Sequence, residues 1–596
     1  MQLKEYNTRI EKLNLLIDSQ QRSLNYVMYA RIVTFLGLIG IIAVAIYFRN
    51  FELLYFCLIP LFLFGFLLKK HSKEKETLTF LECKLLVHEQ EIRAINGDYS
   101  DFESGEEFKN TEHSYTHDLD VFGEKSLFQF LNRTTSKSSN SLFSKSLSNF
   151  EVDVTFITNK QEAVKELSQE LDWRINLRAK GIQNKSKKTT SENIVDWNEE
   201  EIQLFKNNKT KNSILIGVPV FILSALALTI LSFIPVTVFA LLLAIPLGIV
   251  SRKLRIINTQ HKKSSQYTDQ LIQFNQLSQF IENKKFETEL LNEIKAKLFS
   301  NKKTASLEIL ELAKITQQLD NRSNPVFAIF MNALFLWDLQ FIAKLKTWLI
   351  KNSSEIKEWF LAVNQMEMYC SLANFSFNNP EYTFPTLSDS KVLFAKQLAH
   401  PLILKKNRIA SDFEIKNLQE FTIITGANMA GKSTFLRAIG SNLILAMMGA
   451  PVCSSHFIFT PLPLYSSMRT TDSLSDNESY FYSELKRLQS IVNSLKNGNK
   501  HFVILDEILK GTNSKDKAEG SKKFVKQLIK YNNAGIIATH DLSLCEIKNE
   551  FPKHIENHYF DVEIINDQLV FDYKLKPGIC SNMNAEFLMK KMGITE

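Results

Sequence analysis

Four uncharged apolar runs set the first limit on how this chain folds. Residues 32–48 and 53–68 form one pair, residues 214–231 and 233–250 another. A helix rises ~1.5 Å per residue, so the first two runs reach about 25 Å each, slightly short of a ~30 Å hydrocarbon core. Phe51 and Tyr55 flank the first turn as interfacial aromatics, and local thinning of a bilayer covers the shortfall. Pro60, Pro219, Pro235 and Pro246 interrupt the runs, and proline is better tolerated in membrane helices than in soluble ones. The bland alternative is two buried hairpins in a soluble core. The near-total lack of a polar face favours two transmembrane hairpins.

The flanking charges orient them. Arg22 and Arg31 precede the first pair, and Lys69, Lys70, Lys73 and Lys75 follow it. Lys206, Lys209 and Lys211 precede the second pair, and Arg252, Lys253 and Arg255 follow it. The turn near 232–235 is uncharged, and the turn near 49–52 carries one charge of each sign. The positive-inside bias predicts a multi-pass protein of the cell (inner) membrane, with both termini and the middle segment cytoplasmic. No small-residue cleavage pattern accompanies the first run, so a cleavable signal peptide is not expected. The six cysteines are scattered without a C-x-x-C pair, as suits free thiols in a reducing compartment.

The expected organisation is an N-terminal cytoplasmic helix (1–30), a first transmembrane hairpin (31–70) and a cytoplasmic helical segment (71–213). A second hairpin (214–250), a helical core or lever (251–399) and an α/β domain (400–596) follow. Periodicity predicts helices over 162–180, 270–298 and 305–319. The basic run Arg178, Lys180, Lys185, Lys187 and Lys188 reads equally as a solvated loop or as a contact for anionic lipid or DNA. The net charge of +7 permits either. His113 and His117 stand four apart in a polar, turn-like setting without a third ligand, so no metal site is expected there.

The chemistry concentrates in the α/β region. Thr425-Gly426-Ala427-Asn428-Met429-Ala430-Gly431-Lys432-Ser433-Thr434 contains a full G-x-x-x-x-G-K-S match. A β-branched run precedes it and an apolar, helix-favouring run follows. That context suits a loop whose N–H groups and following helix N-terminus cradle phosphate, with Lys432 as a point charge and Ser433 as an oxygen for Mg²⁺. About seventy-five residues later, an apolar strand ends in Asp506 and Glu507. Asp506 would hold Mg²⁺ with Ser433, and Glu507 would orient or deprotonate an attacking water. The next strand ends in His540, which reads either as a γ-phosphate sensor or as a satisfied strand-end histidine.

Residues 425–434 resemble the phosphate loop of the MutS family of DNA mismatch-repair ATPases. Residues 505–514 resemble that family's acidic strand and following loop. Asp472-Ser473-Leu474-Ser475-Asp476-Asn477-Glu478-Ser479-Tyr480-Phe481 with Glu484 resembles its signature segment. Residues 573–578 resemble the end of its ATPase domain, residues 118–134 the start of its helical core, and His400-Pro401-Leu402 its approach to the ATPase. The resemblance fails over the apolar hairpins. It implies an α/β P-loop ATPase domain of the ABC/MutS-like type, C-terminal to an all-α core, working as a homodimer with ATP and Mg²⁺ at the subunit interface. By the same resemblance, Asn428 helps hold the γ-phosphate or its water. Ser479 reaches the phosphate bound by the partner subunit, and ATP closes the dimer.

The chain departs from the family pattern. Ala427 stands where proline is usual, Asn477 where glycine is common and Tyr480 where threonine is common. Too few residues precede residue 117, outside the first hairpin, for a mismatch-reading domain of about one hundred residues, and no nuclease-like appendix is expected after Gly593. The second hairpin is expected in place of the family's DNA clamp. Three functions follow: a membrane-anchored ATPase acting on DNA, a membrane mechanoenzyme without a DNA role, and a nucleotide-gated scaffold.

Overall fold

The computed structural model describes residues 2–184, 208–299, 303–469, 480–510, 513–565 and 568–580. Its first element, α1 (Gln2–Tyr47), is one unbroken helix of 46 residues. No proline falls inside it, and its polar half is rich in Leu, Lys, Gln and Arg, all good helix formers. It stops where Arg49 takes φ 52° and the Asn50 side chain accepts a hydrogen bond from Glu52 N. A short 3₁₀ turn (Phe51–Cys57) leads into α2 (Leu58–Ile95), which packs back along α1. Pro60 sits in the first turn of α2, where backbone N–H groups have no helical partner and none is lost. The boundaries expected at 30/31 and 70/71 therefore fall inside continuous helices. A change from polar to apolar composition does not end a helix when nothing in the backbone does.

The polar ends of this hairpin are locked into a helical core. Tyr6 is fully buried and donates to Asn378 Oδ1 (3.0 Å). Glu91, near the end of α2, is buried between two guanidinium groups, Arg133 Nε (2.7 Å) and Arg178 Nη1 (2.5 Å). It also accepts from Asn374 (2.8 Å) and Asn378 (2.9 Å). Arg178, expected on an exposed basic run, is thus half-buried and drawn into an ion pair with a buried carboxylate. Lys185, Lys187 and Lys188 lie outside the described residues.

The core continues through α3 (Leu127–Leu131), α4 (Lys137–Ser148), α5 (Val154–Gln169) and α6 (Leu171–Gln183). Ser126, Ser136 and Asp153 cap α3, α4 and α5 with side-chain oxygens. The helix expected over 162–180 is two helices, broken at Glu170, where Arg174 Nε takes the carbonyl of Leu167 (2.7 Å).

The second apolar pair differs. Here α7 (Asn208–Ile230) is continuous through Pro219, but its expected partner is split into α8 (Val236–Leu242) and α9 (Ala244–Ser251). Pro246 has no N–H for the carbonyl of Leu242, and its ring clashes with that carbonyl in a continuous helix. The chain then bends by 63° into α10 (Leu254–Asn283). Among the described residues, three helical segments, Gln2–Tyr47, Glu52–Ile95 and Ser213–Ile230, are long and apolar enough to cross a membrane by length and composition.

Five more helices complete the core: α11 (Glu289–Ala296), α12 (Ala305–Asp320), α13 (Pro325–Phe335), α14 (Trp337–Asn352) and α15 (Ile356–Asn378). The helix expected over 270–298 breaks between α10 and α11, where Glu166 accepts from Glu287 N (2.9 Å) and Thr288 N (2.8 Å).

The remainder is α/β. A four-stranded sheet has the order β1-β5-β2-β3, with β1 (Thr386–Leu387), β2 (Leu393–Leu398), β3 (Ser411–Ile415) and β5 (His456–Phe459). A six-stranded sheet has the order β12-β9-β4-β8-β7-β6. It comprises β4 (Phe421–Gly426), β6 (Leu464–Ser467), β7 (Phe502–Asp506), β8 (Ala534–Ala538), β9 (Ile555–Phe560) and β12 (Leu575–Pro577). All its pairings are parallel except β12 with β9. A small hairpin of β10 (Glu563–Ile565) and β11 (Gln568–Val570) lies beside it in sequence. Three helices, α16 (Lys432–Met447), α17 (Tyr480–Lys496) and α18 (Ser514–Ile529), connect the strands. The α/β region begins before residue 400, because β1 and β2 pair within the first sheet. One apolar core runs from the helices into the underside of α16 and the central strands.

Candidate functional site

The central strand β4 delivers its loop at the C-terminal edge of the parallel sheet, where ligands of such sheets sit. Two glycines are needed there. Gly426 takes φ 150°, and a Cβ on it would lie 2.8 Å from the carbonyl oxygen of Phe560. Gly431 takes φ 103°, and a Cβ would press on the Tyr573 ring at 3.2 Å. The loop then feeds the first turn of α16, whose N–H groups have no helical acceptor.

Lys432 is buried and folds over its own loop. Its Nζ donates to Gly426 O (2.7 Å) and Ala427 O (2.9 Å) and lies 3.3 Å from His540 Nε2. Burial weakens its hold on its proton, and the carboxylates of Asp506 and Glu507 oppose that. Next along the helix, Ser433 Oγ donates to Asp506 Oδ2 at 2.5 Å. Asp506 ends β7, adjacent to β8 in the sheet. Glu507 follows in the left-handed region at φ 54°, its N–H held by Ala538 O (2.8 Å). Its carboxylate pairs with Lys517 Nζ at 2.7 Å. Burial raises the Glu507 carboxyl, but the hydrogen bond and charge of Lys517 outweigh it, so the group sits below the ordinary carboxylate range. Burial, and then the charge of Lys432, push His540 below the ordinary imidazole range.

Gly431, Lys432, Ser433, Asp506, Glu507 and His540 line one cleft of about 620 Å³, along with Ala427, Asn428, Met429, Ala430 and Thr434. Its outer wall includes His400, Ile409 and Tyr573. Cationic and N–H donors thus face two carboxylates across a space large enough for a nucleotide-sized ligand. Ser479 lies outside the described residues, as does most of the segment around it. No cluster of three or more His, Cys, Asp or Glu suited to a metal occurs among the described residues. His113 instead accepts backbone N–H groups of Tyr115 and Thr116 through Nδ1 (3.3 Å each).

Three further side chains support the cleft; Glu484 and Asp118 lie in segments that carry the family resemblance, and Lys517 does not. Lys517 projects from α18 with no periodic cue that it returns to Glu507. Glu484, on α17, is buried and accepts from Leu509 N (2.6 Å) and Lys510 N (3.0 Å), pinning the loop after Glu507. Asp118, fully buried, accepts from Ser466 Oγ (2.8 Å), Arg469 N (2.9 Å) and Arg487 Nη2 (2.7 Å). Leu119 beside it packs on α16, where a Cβ on Gly440 would meet the leucine at 2.6 Å. The segment leading into the helical core is therefore seated on the helix that carries Lys432. An acid in a local Asp-Leu-Asp string gives no hint of partners some 350 residues away.

Residues 422–588 match the family model of MutS domain V. The chain is 29% identical over 218 residues to the DNA mismatch repair protein MutS of Thermotoga maritima, covering 36% of this chain and 27% of that one. It is 26% identical over 289 residues to the DNA mismatch repair protein MutS of Methanosarcina acetivorans, covering 47% and 32%. It is 28% identical over 232 residues to MutS protein homolog 4 of Homo sapiens, covering 37% and 24%. The chain thus spans about a quarter to a third of the length of these relatives.

Proposed function

We propose, for a chain that belongs to the MutS family through its C-terminal region, that the cleft binds and hydrolyses Mg²⁺-ATP at a homodimer interface. The loop N–H groups and the start of α16 take the phosphate oxygens, and Lys432 turns from its own carbonyls to the phosphates. Ser433 and Asp506 are hard oxygen donors two in number, which fits an ion that keeps waters and phosphate oxygens for its other positions. Bound there, Mg²⁺ neutralises charge on the phosphates. Glu507, kept ionised by Lys517, orients or deprotonates the attacking water, and neutral His540 donates to or accepts from the γ-phosphate side. Asn428 lines the cleft beside the phosphate loop.

The observation that carries this reading is the Ser433–Asp506 contact with Lys432, Glu507 and His540 around it. The test is ATP turnover by the full chain in detergent. Glu507→Gln should keep ATP binding and lower turnover by roughly 10²-fold or more. Unchanged turnover removes Glu507 from this role.

The same reading places the apolar halves of α1 and α2, with α7 to α9, in a bilayer, the cleft on the cytoplasmic side. Its support is the length, composition and exposed apolar surface of these helices. Release of the protein by carbonate extraction of membranes would remove it. Two of the three relatives are named for DNA mismatch repair, which favours a role on DNA. A second reading, a mechanoenzyme that moves membrane helices without DNA, draws on α2, a single helix from its apolar start to Glu91 in the core. ATP turnover with and without duplex DNA at low salt separates them, since phosphate contacts dominate there.

A further inference from the structure

Helix α13 is set apart from the other core helices by what it does not contain. Between Arg322 and Asp338 the chain has fifteen residues and no charge. Pro325 opens the helix at its first position, and Asn324 caps it by accepting from Val326 N (3.1 Å) and Phe327 N (3.3 Å). Leu336 ends it in the left-handed region, and α14 leaves at 79°. One side of α13 packs on α9 and α7. The other carries Val326, Ile329 and Phe330, which are 77%, 62% and 58% exposed. Spaced three and four apart, they form one stripe.

The charged groups gather at the base of this helix. Arg322 donates to Asn258 Oδ1 of α10 (2.8 Å) and pairs with Asp338 Oδ2 of α14 (3.1 Å). Trp337 Nε1 donates to Gln318 O of α12 (3.1 Å). The elbow at each end of α13 is therefore tied to α10, α12 and α14, while its body projects apolar.

We infer that α13 is a half-inserted membrane element, its Val326–Ile329–Phe330 stripe lying on lipid acyl chains beside α7 and α9. The inference rests on the membrane reading above. The eleven helical residues span about 16 Å, and the Arg322–Asp338 pair holds both ends on one side, so α13 dips into the hydrocarbon region without crossing it. α7, on which α13 packs, also exposes apolar side chains, Ile216 and Val220 among them. The Arg322–Asp338 pair marks the level of the lipid head groups. Because α14 packs on α12, α13 gives the helical core its own grip on the bilayer, separate from the chain connections through α7 and α10.

The test is photo-crosslinking of the full chain in vesicles of phosphatidylethanolamine and phosphatidylglycerol. Benzoylphenylalanine replaces Val326 or Phe330, two outward positions whose replacement disturbs no packing. Phe62 of α2 and Leu307 of α12, both exposed, serve as bilayer and water-side references. Lipid adducts at 326 and 330 near the yield at 62, and several-fold above that at 307, support the inference. Adducts at 62 with background yield at 326 and 330 overturn it and leave the membrane reading standing. Background yield at 62 as well removes the membrane reading and this inference with it. Crosslinks from 326 or 330 to a second copy of the chain, in place of lipid, also overturn it.

Discussion

The two apolar pairs look alike in composition and differ in mechanics. The first is made of helices that run without interruption from apolar ends to buried anchors, Tyr6 on α1 and Glu91 on α2. The second is jointed: α8 and α9 part at Leu243, the chain bends again before α10, and α13 is wedged alongside. Anchoring follows the same division. Glu91 is fully enclosed by two arginines and two asparagines, whereas Arg322 holds the second pair's elbow through one carboxylate and one amide. The first pair consists of continuous helices with a buried ionic anchor, and the second is broken at Pro246.

The sharpest way to break this contrast is at Glu91. Glu91→Gln leaves Arg133 and Arg178 buried without a counter-charge and should cost about 3–5 kcal/mol, read by thermal unfolding of the detergent-solubilised protein. Burial raises the Glu91 carboxyl, but Arg133 and Arg178 outweigh that and hold it at about 2, below its ordinary value of 4.5. The folded pKa is the lower one. Its stabilisation is therefore complete above about pH 4.5 and is lost as pH falls through about 2. The gap in stability between wild type and Glu91→Gln should narrow over that window. A constant gap means that Glu91 acts through packing alone.

Arg322→Ala should cost less, about 1–3 kcal/mol, because it strands one carboxylate, Asp338. If it costs as much as Glu91→Gln, the second pair is as firmly held as the first. A smaller effect is dynamic. In a lipid disc, backbone amides of 240–253 should exchange with deuterium about tenfold faster than those of 33–46. Equal rates would erase the distinction between rod and joint. The smallest effect is expected for Pro246→Leu, which restores the missing N–H and lets α8 and α9 fuse. Stability should change by less than about 1 kcal/mol, while exchange at residues 243–247 slows.

The sequence made some of this plain for physical reasons. The loop from Gly426 to Ser433 is a local device, and strand, turn and helix each announce themselves within twenty residues. The uncharged runs are equally local. Continuity across residues 30 and 70 was hidden, because a helix that changes from polar to apolar resembles two elements in any composition window. The short α13 was hidden too: eleven uncharged residues are too few for a span and read as one more core helix. The anchors at Glu91 and Asp118 depend on partners 42 to 369 residues away, which no periodicity encodes. Arg178 shows the opposite error. A basic string suggests a solvated face, yet its member nearest the core is consumed by Glu91.

The length of α1 has a consequence in leverage. About thirty of its residues, from Gln2 to Arg31, precede the apolar half, a rod of about 45 Å at ~1.5 Å per residue. From Tyr6 to Arg31 the rod measures about 38 Å, so a tilt of about 5° at Tyr6 would displace the other end by about 3 Å. A small rearrangement of the core around Tyr6 would reach the far end of the rod as a shift of roughly half the height of a helix turn. The helix would act as a lever, its arm set by the number of residues ahead of the apolar run that begins at residue 32.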